Sequence, residues 1–330
     1  MTEPAQRSNE MAVIAVLTAS IDPTVKGAIL TFIAPAIDGC GMSCPDCFIS
    51  QRSEQTQPAQ LSPADFAKFI RDTASVRQVA AVTLQGFEPL APSALPWTEA
   101  VLAAGHEIGA ETGLVTNGLF LTESVSLLRN LNCGGVTISI DADNEIEHDR
   151  LRRRPGAWRK AMKGIEHSRA HLSRSVLVVH SVLMPGRKDR LSGLPRILAA
   201  AGVRKWAVSP LIHFRPDGTA STHGRAFEIR NRLAELSKIA AENDIDFYAD
   251  DEFSLLSEVF AEADPGAEIL PSLIVRTLSR PDGLLRLTPD GKCAFGLQIL
   301  RAIDDRISVW GPDMDVGTFL NGRLPAQAAN

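Results

Sequence analysis

No apolar run in the sequence is long enough to cross a bilayer. The stretch at residues 11–21 (MAVIAVLTASI) is broken by Asp22, Pro23 and Lys26, well short of the ~20 residues a spanning helix needs. A basic signal-peptide start is also missing, because Glu3 and Glu10 accompany Arg7 ahead of that stretch. These absences predict a soluble, cytoplasmic chain with no membrane partner. Positive charge is not in surplus either. With 34 Lys and Arg against 39 Asp and Glu, the formal net charge is −5 and the pI about 5.8. The long-range field therefore offers no general attraction to phosphate backbones, and nucleic acid is not favoured as a partner. Cysteine is scarce: five in 330 residues, an odd count that does not suit a disulfide framework. No repeat recurs at a fixed period.

What is present is the composition of a folded globular protein, 45% hydrophobic and 22% charged, long enough for one large domain or two ordinary ones. Short runs rich in Val, Ile, Leu and Thr alternate with helical patterns, the signature of β/α units around a parallel sheet. Strands are predicted at residues 27–33, 79–84, 112–116, 135–140, 175–183 and 205–211. Helices are predicted at about 62–74, within 93–108, and at 122–131, 155–171, 189–201 and 223–243. Ser62-Pro63-Ala64-Asp65 supplies the first helix with an N-cap, a proline at its first position and an acidic first turn. Beyond residue 244 the texture changes to a helix at 251–263 and short strands around 272–278, 283–288 and 305–310, punctuated by Pro and Gly. The expected architecture is α/β, a partial (β/α)6 TIM-like barrel with a small α+β C-terminal appendage. Its divisions are an N-terminal extension at 1–24, the barrel at 25–243 and the appendage at 244–330.

Three of the five cysteines fall within Cys40-Gly41-Met42-Ser43-Cys44-Pro45-Asp46-Cys47. Their i, i+4, i+7 spacing would suit one face of a helix, but an interior proline costs ~3 kcal/mol and Gly39 and Gly41 weaken a helical start. A loop after the first strand, pointing its thiolates at one centre, fits better. A structural zinc site usually wants four protein ligands, and no second CxxC pair exists. Three thiolates on a 4Fe-4S cluster would leave one iron open. From spacing alone, iron–sulfur, zinc and a merely structural role stay open.

CGMSCPDC resembles the CxxxCxxC signature of the radical SAM superfamily. Further segments resemble that family strand by strand: Gly86-Phe87-Glu88-Pro89 its GGEP, Thr116-Asn117-Gly118 its TNG, and Ser139-Ile140-Asp141 with Glu147 to Arg152 its SID and E-x-H-D-x-x-R segments. All follow predicted strands, at the edge where parallel β/α barrels gather their reactive groups. The resemblance implies one 4Fe-4S cluster on Cys40, Cys44 and Cys47, with S-adenosylmethionine (SAM) chelating the open iron. It implies reductive cleavage of SAM to a 5′-deoxyadenosyl radical that abstracts hydrogen from a substrate, fed by a flavodoxin- or ferredoxin-type reductant.

For the cofactor contacts it points to Gly86, Glu88, Pro89, Thr116, Asn117, Ser139, Asp141 and Arg152. Glu88 would accept from the SAM ammonium, and Arg152 would pair with its carboxylate. Asp46 stands where the family commonly has an aromatic near the adenine, and Phe48 is a possible substitute. His180 and His213, at the ends of the fifth and sixth strands, are candidate substrate contacts; His148 and His167 read as surface. Trp97, Trp158 and Trp206 read as packing. Residues 284–293 (LLRLTPDGKC) resemble the opening of the cysteine-rich extension called SPASM, with only Cys293 remaining, so no auxiliary cluster is expected. Cys293 reads as a structural thiol, or in the sharper alternative as a hydrogen donor to a substrate radical. A small molecule of a biosynthetic pathway is the expected substrate and a peptide or protein the runner-up; the reading from another class is a non-catalytic zinc-binding or scaffold protein.

Overall fold

A computed structural model describes residues 27–37, 39–45, 47, 60–184, 190–214, 220–222, 226–249, 284–295 and 308–321. Its parallel strands are β1 (Ala28–Ala34), β2 (Val79–Gly86), β3 (Glu111–Thr116), β4 (Gly135–Ser139), β5 (Val176–Leu183), β6 (Lys205–Pro210) and β9 (Asp246–Ala249), hydrogen-bonded in that order. Helices α1 (Pro63–Val76), α2 (Leu95–Glu107), α3 (Leu121–Asn130), α4 (Glu145–Arg152), α5 (Ala157–His171), α6 (Leu194–Ala200) and α7 (Ala226–Ala241) connect them. A hairpin, β7 (Ile212–Phe214) with β8 (Ala220–Thr222), stands apart as its own two-stranded sheet. The boundary of α1 follows from its cap: Ser62 accepts from Asp65 N and Asp65 reciprocates, a capping box, with proline in the first turn.

Each strand sorts its side chains by the period of two. Outward, Phe32 on β1 meets Phe66 and Phe69 of α1 at ring separations of 5.0 and 6.2 Å, and Leu84, Leu114, Ile138, Val179 and Trp206 join the same buried layer. Inward, polar residues alternate with them. Thr83 Oγ1 donates to Thr31 Oγ1 at 3.2 Å, and register carries this inner face through Ser139, paired with His180 on β5. A separate small cluster of Val178, Ala207 and Tyr248 lies on the inner face, with Ala207 and Tyr248 in register with His180 and Val178 two residues before it on β5.

The sheet continues past the boundary expected at residue 243. β9 pairs in parallel with β6 through Lys205↔Asp246 to Val208↔Ala249, so the barrel has a seventh strand. Its four residues, DFYA, are too short and too mixed to stand out after a long helix. At the other edge β10 (Leu284–Leu287) adds in parallel to β1, followed by antiparallel β11 (Lys292–Phe295) and β12 (Ser308–Val309), then α8 (Val316–Asn321). These segments of the expected appendage thus cover what would be an open edge of the barrel sheet. Trp310, buried, meets Phe69 of α1 at 4.9 Å, and Gln60 N and Leu61 N both donate to Pro289 O. The helix expected at 251–263, the strand at 272–278 and the extension at 1–24 lie outside the described residues.

Candidate active site

The cysteine loop leaves the C-terminal end of β1 and is strapped on two flanks. On one, Asn117 Nδ2 donates to Cys40 O at 2.8 Å; on the other, Ser43 N donates to Arg152 O at 3.2 Å, with Cys44 Sγ 3.9 Å from the same oxygen. Cys47 N closes back onto Cys44 O across Pro45, the turn expected from the proline. Cys40, Cys44 and Cys47 are all half-buried thiols. Burial pushes the Cys40 and Cys44 thiols up, and neighbouring thiols push in the same direction; Arg152 opposes this at Cys44. Sulfurs that repel one another as thiolates are a donor set that a cationic metal core relieves, so the residues present fit an iron–sulfur group. Among the described residues no trio of His, Cys, Asp or Glu converges on a single-ion centre, while ligands of separate irons in a cluster need a wider triangle. Asp46 and Phe48 lie outside the described residues.

Behind the loop stands Glu88, 1% exposed. Its Oε1 accepts from Thr116 Oγ1 at 2.7 Å and Leu90 N at 3.0 Å, and its Oε2 accepts from Asn117 N at 2.7 Å. Burial raises its pKa to about 7 against the lowering by these donors. The ammonium contact expected of Glu88 is not what this geometry offers. The carboxylate clamps the end of β2 to the turn after β3, and Gln85 and Gly86 of that strand end line the pocket instead. Gly86 sits at φ 116 with Ile33 Cγ2 2.9 Å from where a Cβ would stand. Gly118, at φ 84, would place a Cβ 2.8 Å from Ala161 Cα, so the TNG turn tolerates no side chain there. Pro89, like Glu88, faces the protein: its carbonyl accepts from Thr98 Oγ1 at 2.6 Å.

Across the mouth, Asn144 caps α4 by accepting from Glu147 N at 3.0 Å, and the helix delivers Arg152 in its last turn. Arg152 Nη2 pairs with Asp141 Oδ2 at 2.7 Å, both largely buried, and Asp141 Oδ1 accepts from Val182 N at 2.9 Å. Burial works against the charge of Arg152, but Asp141 and the thiols outweigh it. Its buried Nε has no hydrogen-bond partner among the described residues. His148 is fully buried rather than on the surface: its Nδ1 accepts from Asp141 N at 3.2 Å, and its ring meets Trp158 edge-on. Burial lowers its pKa to about 4, keeping that nitrogen an acceptor. His180, also lowered to about 4 by burial, has its Nε2 2.7 Å from Ser209 Oγ.

These groups line a half-open pocket of about 200 Å³ that includes Cys44, Cys47, Ser139, Asp141, Arg152 and His180, with Val115, Val182, Met184 and Leu211 as its apolar walls. Thr116 and Asn117 serve the clamp and do not line it. His213 lies on β7, outside the barrel sheet. Cys293 does not reach the pocket. It pairs in register with Leu287, which pairs with Phe32, and Phe32 packs on α1, so Cys293 faces the outer helical layer and is fully buried there. The hydrogen-donor role considered for it is therefore corrected on grounds of sheet face. Reading the sequence did not find Ser209, although the alternation His180, Val182, Met184 marks the inner face of β5 and its continuation. It also missed an HxxxH pair on α5, His167 and His171, with ring centroids 4.4 Å apart near the helix C-terminus.

Residues 35–191 match the family model described as the radical SAM superfamily. An AdoMet-dependent heme synthase of Methanosarcina barkeri (strain Fusaro / DSM 804) is 35% identical over 130 residues, 39% of this chain and 36% of that protein. Streptococcus suis SuiB bound to SAM superposes with a TM-score of 0.66 at 13% identity, over 88% of this chain and 65% of SuiB. Native anSMEcpe with bound AdoMet gives 0.59 at 13% identity, over 87% and 79%. At such identities the structures bear on the fold alone, and the sequence match spans about a third of the heme synthase's own length. The cysteine loop, the clamp, the buried ion pair and His180 all fall inside residues 35–191, the segment that matches the radical SAM model.

Proposed function

We propose that the chain is an enzyme that holds one 4Fe-4S cluster on Cys40, Cys44 and Cys47 and SAM in the adjoining pocket, and uses them to abstract hydrogen from a small biosynthetic molecule. The observation that carries this is the position of Arg152. Its backbone straps the cysteine loop, while its guanidinium, paired with Asp141, stands in the wall of a pocket shared with Cys44 and Cys47. When bound, the cluster and SAM supply an electron-driven cleavage that yields a hydrogen-abstracting radical.

The chain's own residues bind, orient and exclude water. Arg152 offers a charge-assisted donor to the SAM carboxylate, and Asp141 holds that guanidinium in place. Ser139 and the backbone at Gly86 offer polar contacts on either side. His180, neutral through most of the working pH range, presents a hydrogen-bonding ring to substrate, and Val182, Met184 and Leu211 keep the pocket apolar. Beside the polar groups at Ser139, Asp141, Arg152 and His180, the apolar walls of the pocket support a substrate that is partly apolar and small. The heme synthase relative, named for a small-molecule product, supports the same class. Two structural neighbours are known with peptides bound, SuiB with the SuiA precursor and anSMEcpe with Cp18Cys; those ligands belong to those proteins.

Anaerobic reconstitution is expected to give a coloured protein with about four irons and four sulfides per chain, and SAM with dithionite should give 5′-deoxyadenosine. Replacing Cys40, Cys44 and Cys47 together by Ala should abolish both. A triple variant that keeps the iron and still cleaves SAM would sink the assignment, and a colourless, zinc-loaded wild type would favour the scaffold reading. Deuterium passing from a labelled small molecule, rather than a peptide, into 5′-deoxyadenosine decides the substrate class.

A further inference from the structure

At the mouth of the barrel most polar side chains are committed to the protein. Glu88 accepts from Thr116, Asn117 and Leu90, Arg152 pairs with Asp141, and His180 Nε2 lies 2.7 Å from Ser209 Oγ. Gln85, the last inward-facing residue of β2, is different. It is 7% exposed and lines the pocket, yet its side-chain amide makes no hydrogen bond among the described residues. A primary amide carries two N–H donors and a carbonyl acceptor, and burying them unpaired is costly. An unpaired amide held at a pocket wall calls for a partner that arrives from the pocket.

Strand register shows where that amide stands. Gln85 is paired with Ile33 of β1, and Val115 of β3, also in the pocket wall, is paired with Thr137 of β4. Ile33 and Val115 are aliphatic and offer the amide nothing. Thr137 is fully buried on the same inner face, and its Oγ1 too has no partner among the described residues. Two residues before Gln85, Thr83 is already bonded to Thr31. The amide therefore meets the pocket among aliphatic neighbours, where a hydrogen bond is stronger than in water. Charge narrows the choice of partner. Arg152 is the only Lys or Arg among the described residues of the pocket wall, and it is paired with Asp141, while Cys44 and Cys47 stand beside it. An anion seated at Gln85 would face a carboxylate and two thiols without a free cation. A neutral carboxamide carries no such penalty, and its carbonyl and N–H match both halves of the Gln85 side chain.

Resting on the radical SAM reading above, we propose that Gln85 is the specificity-determining contact for the substrate: it pairs with a neutral carboxamide carried on a small aliphatic frame and rejects the corresponding carboxylate. The carboxylate of SAM has its own donor in Arg152, on the helix that follows β4, so the two ligands engage different parts of the wall. Val115, Val182, Met184 and Leu211 receive the aliphatic part of the substrate. Anchoring one end of a small molecule by two hydrogen bonds fixes which of its C–H bonds is held nearest the cofactor.

The test uses the anaerobically reconstituted full chain in the presence of SAM, with two probes of the same shape, isobutyramide and isobutyrate, titrated by ligand-observed NMR. The wild type should bind isobutyramide about tenfold more tightly than isobutyrate. Gln85→Met keeps the length of the side chain and removes its polar atoms, so the preference should shrink to within about twofold. Because the amide bonds to nothing in the fold, the thermal midpoint of the variant should stay level or rise, where loss of a structural hydrogen bond would lower it. Equal binding of the two probes by the wild type, a preference undiminished in Gln85→Met, a lowered midpoint, or a fall in SAM affinity with the preference intact overturns the role of Gln85. A Gln85-dependent preference in a wild type that yields no 5′-deoxyadenosine with dithionite overturns the enzymatic reading and leaves the amide site standing. SAM cleavage by a wild type without the preference does the reverse.

Discussion

Between β2 and β3 the mouth of the barrel is closed by a buried carboxylate that accepts from Thr116, Asn117 and Leu90; between β4 and β6 it is lined by an ion pair and an imidazole that face the pocket. Both halves carry short motifs at the C-terminal ends of parallel strands. Their difference lies in depth. Glu88 and Thr116 are 1% exposed and spend their polar atoms on holding two loops and, through Asn117, the cysteine loop. Asp141, Arg152 and His180 are also largely buried, yet each has a surface on the cavity. One half builds the frame that places the thiols, and the other supplies the surface a ligand meets.

The largest expected effect breaks the second half. Arg152→Met leaves the carboxylate of Asp141 buried beside the backbone N–H of Val182 without its cation, a loss of about 3–5 kcal/mol in unfolding free energy. SAM affinity should fall with it. Adding Asp141→Asn should restore much of the stability and none of the SAM binding, because the ligand's carboxylate still lacks its donor. Urea unfolding and equilibrium dialysis read the two quantities separately, and an Arg152→Met variant that binds SAM like the wild type removes the role given to this pair.

A second prediction separates the halves by pH. The folded pKa of Glu88 is raised to about 7 from the usual 4.5, so between those values the folded state keeps a proton that the unfolded chain has released. Stability from this group is therefore highest below about 4.5 and declines as pH climbs towards 7, by about 3 kcal/mol at most. His148 and His180, lowered by burial from 6.5 to about 4, have the opposite sign: the unfolded chain takes up their protons first, so stability is lost as pH falls through that window. In the difference between wild type and Glu88→Gln the histidine contributions cancel. That difference should move in favour of the Gln variant as pH rises from about 4.5 to about 7. Because Glu88 is absent from the pocket wall, SAM affinity should change far less than in Arg152→Met. A pH-independent difference would mean that the carboxylate is ionised throughout.

How much of this was legible in the sequence depended on whether a feature is local. The strand and helix order could be read because the apolar runs are distinct and Ser62 with Asp65 marks a helix start without reference to the rest of the fold. The motif residues could be placed at strand ends for the same reason. Depth and facing could not. Glu88 reads as a loop residue until the donors of Thr116 and Asn117 arrive from 28 and 29 residues away. His148 reads as a helix surface residue until Trp158 and the Asp141 amide close over it. Cys293 is put on the outer face by a register running through β10 to β1, a pairing across some 250 residues that no local pattern encodes. β9 escaped because four residues carry too little periodicity to announce a strand.

The smallest expected effect probes where the ligand-facing half divides between cofactor and substrate. Ser209 lies on β6 opposite Val182, and its hydroxyl stands 2.7 Å from His180 Nε2. Ser209→Ala removes that contact at a cost of about 1 kcal/mol in stability, a shift that alone would not distinguish a structural contact from a functional one. The kinetic parameters do. With its hydrogen bond gone, the His180 ring loses a fixed tautomer and orientation, so the KM for substrate should rise severalfold while SAM affinity and substrate-free 5′-deoxyadenosine formation hold. Ser209→Thr, which returns a hydroxyl, should recover part of the loss. If SAM affinity falls instead and KM does not move, His180 belongs with Asp141 and Arg152 on the cofactor side, and the substrate region begins further out, at Met184 and Leu211.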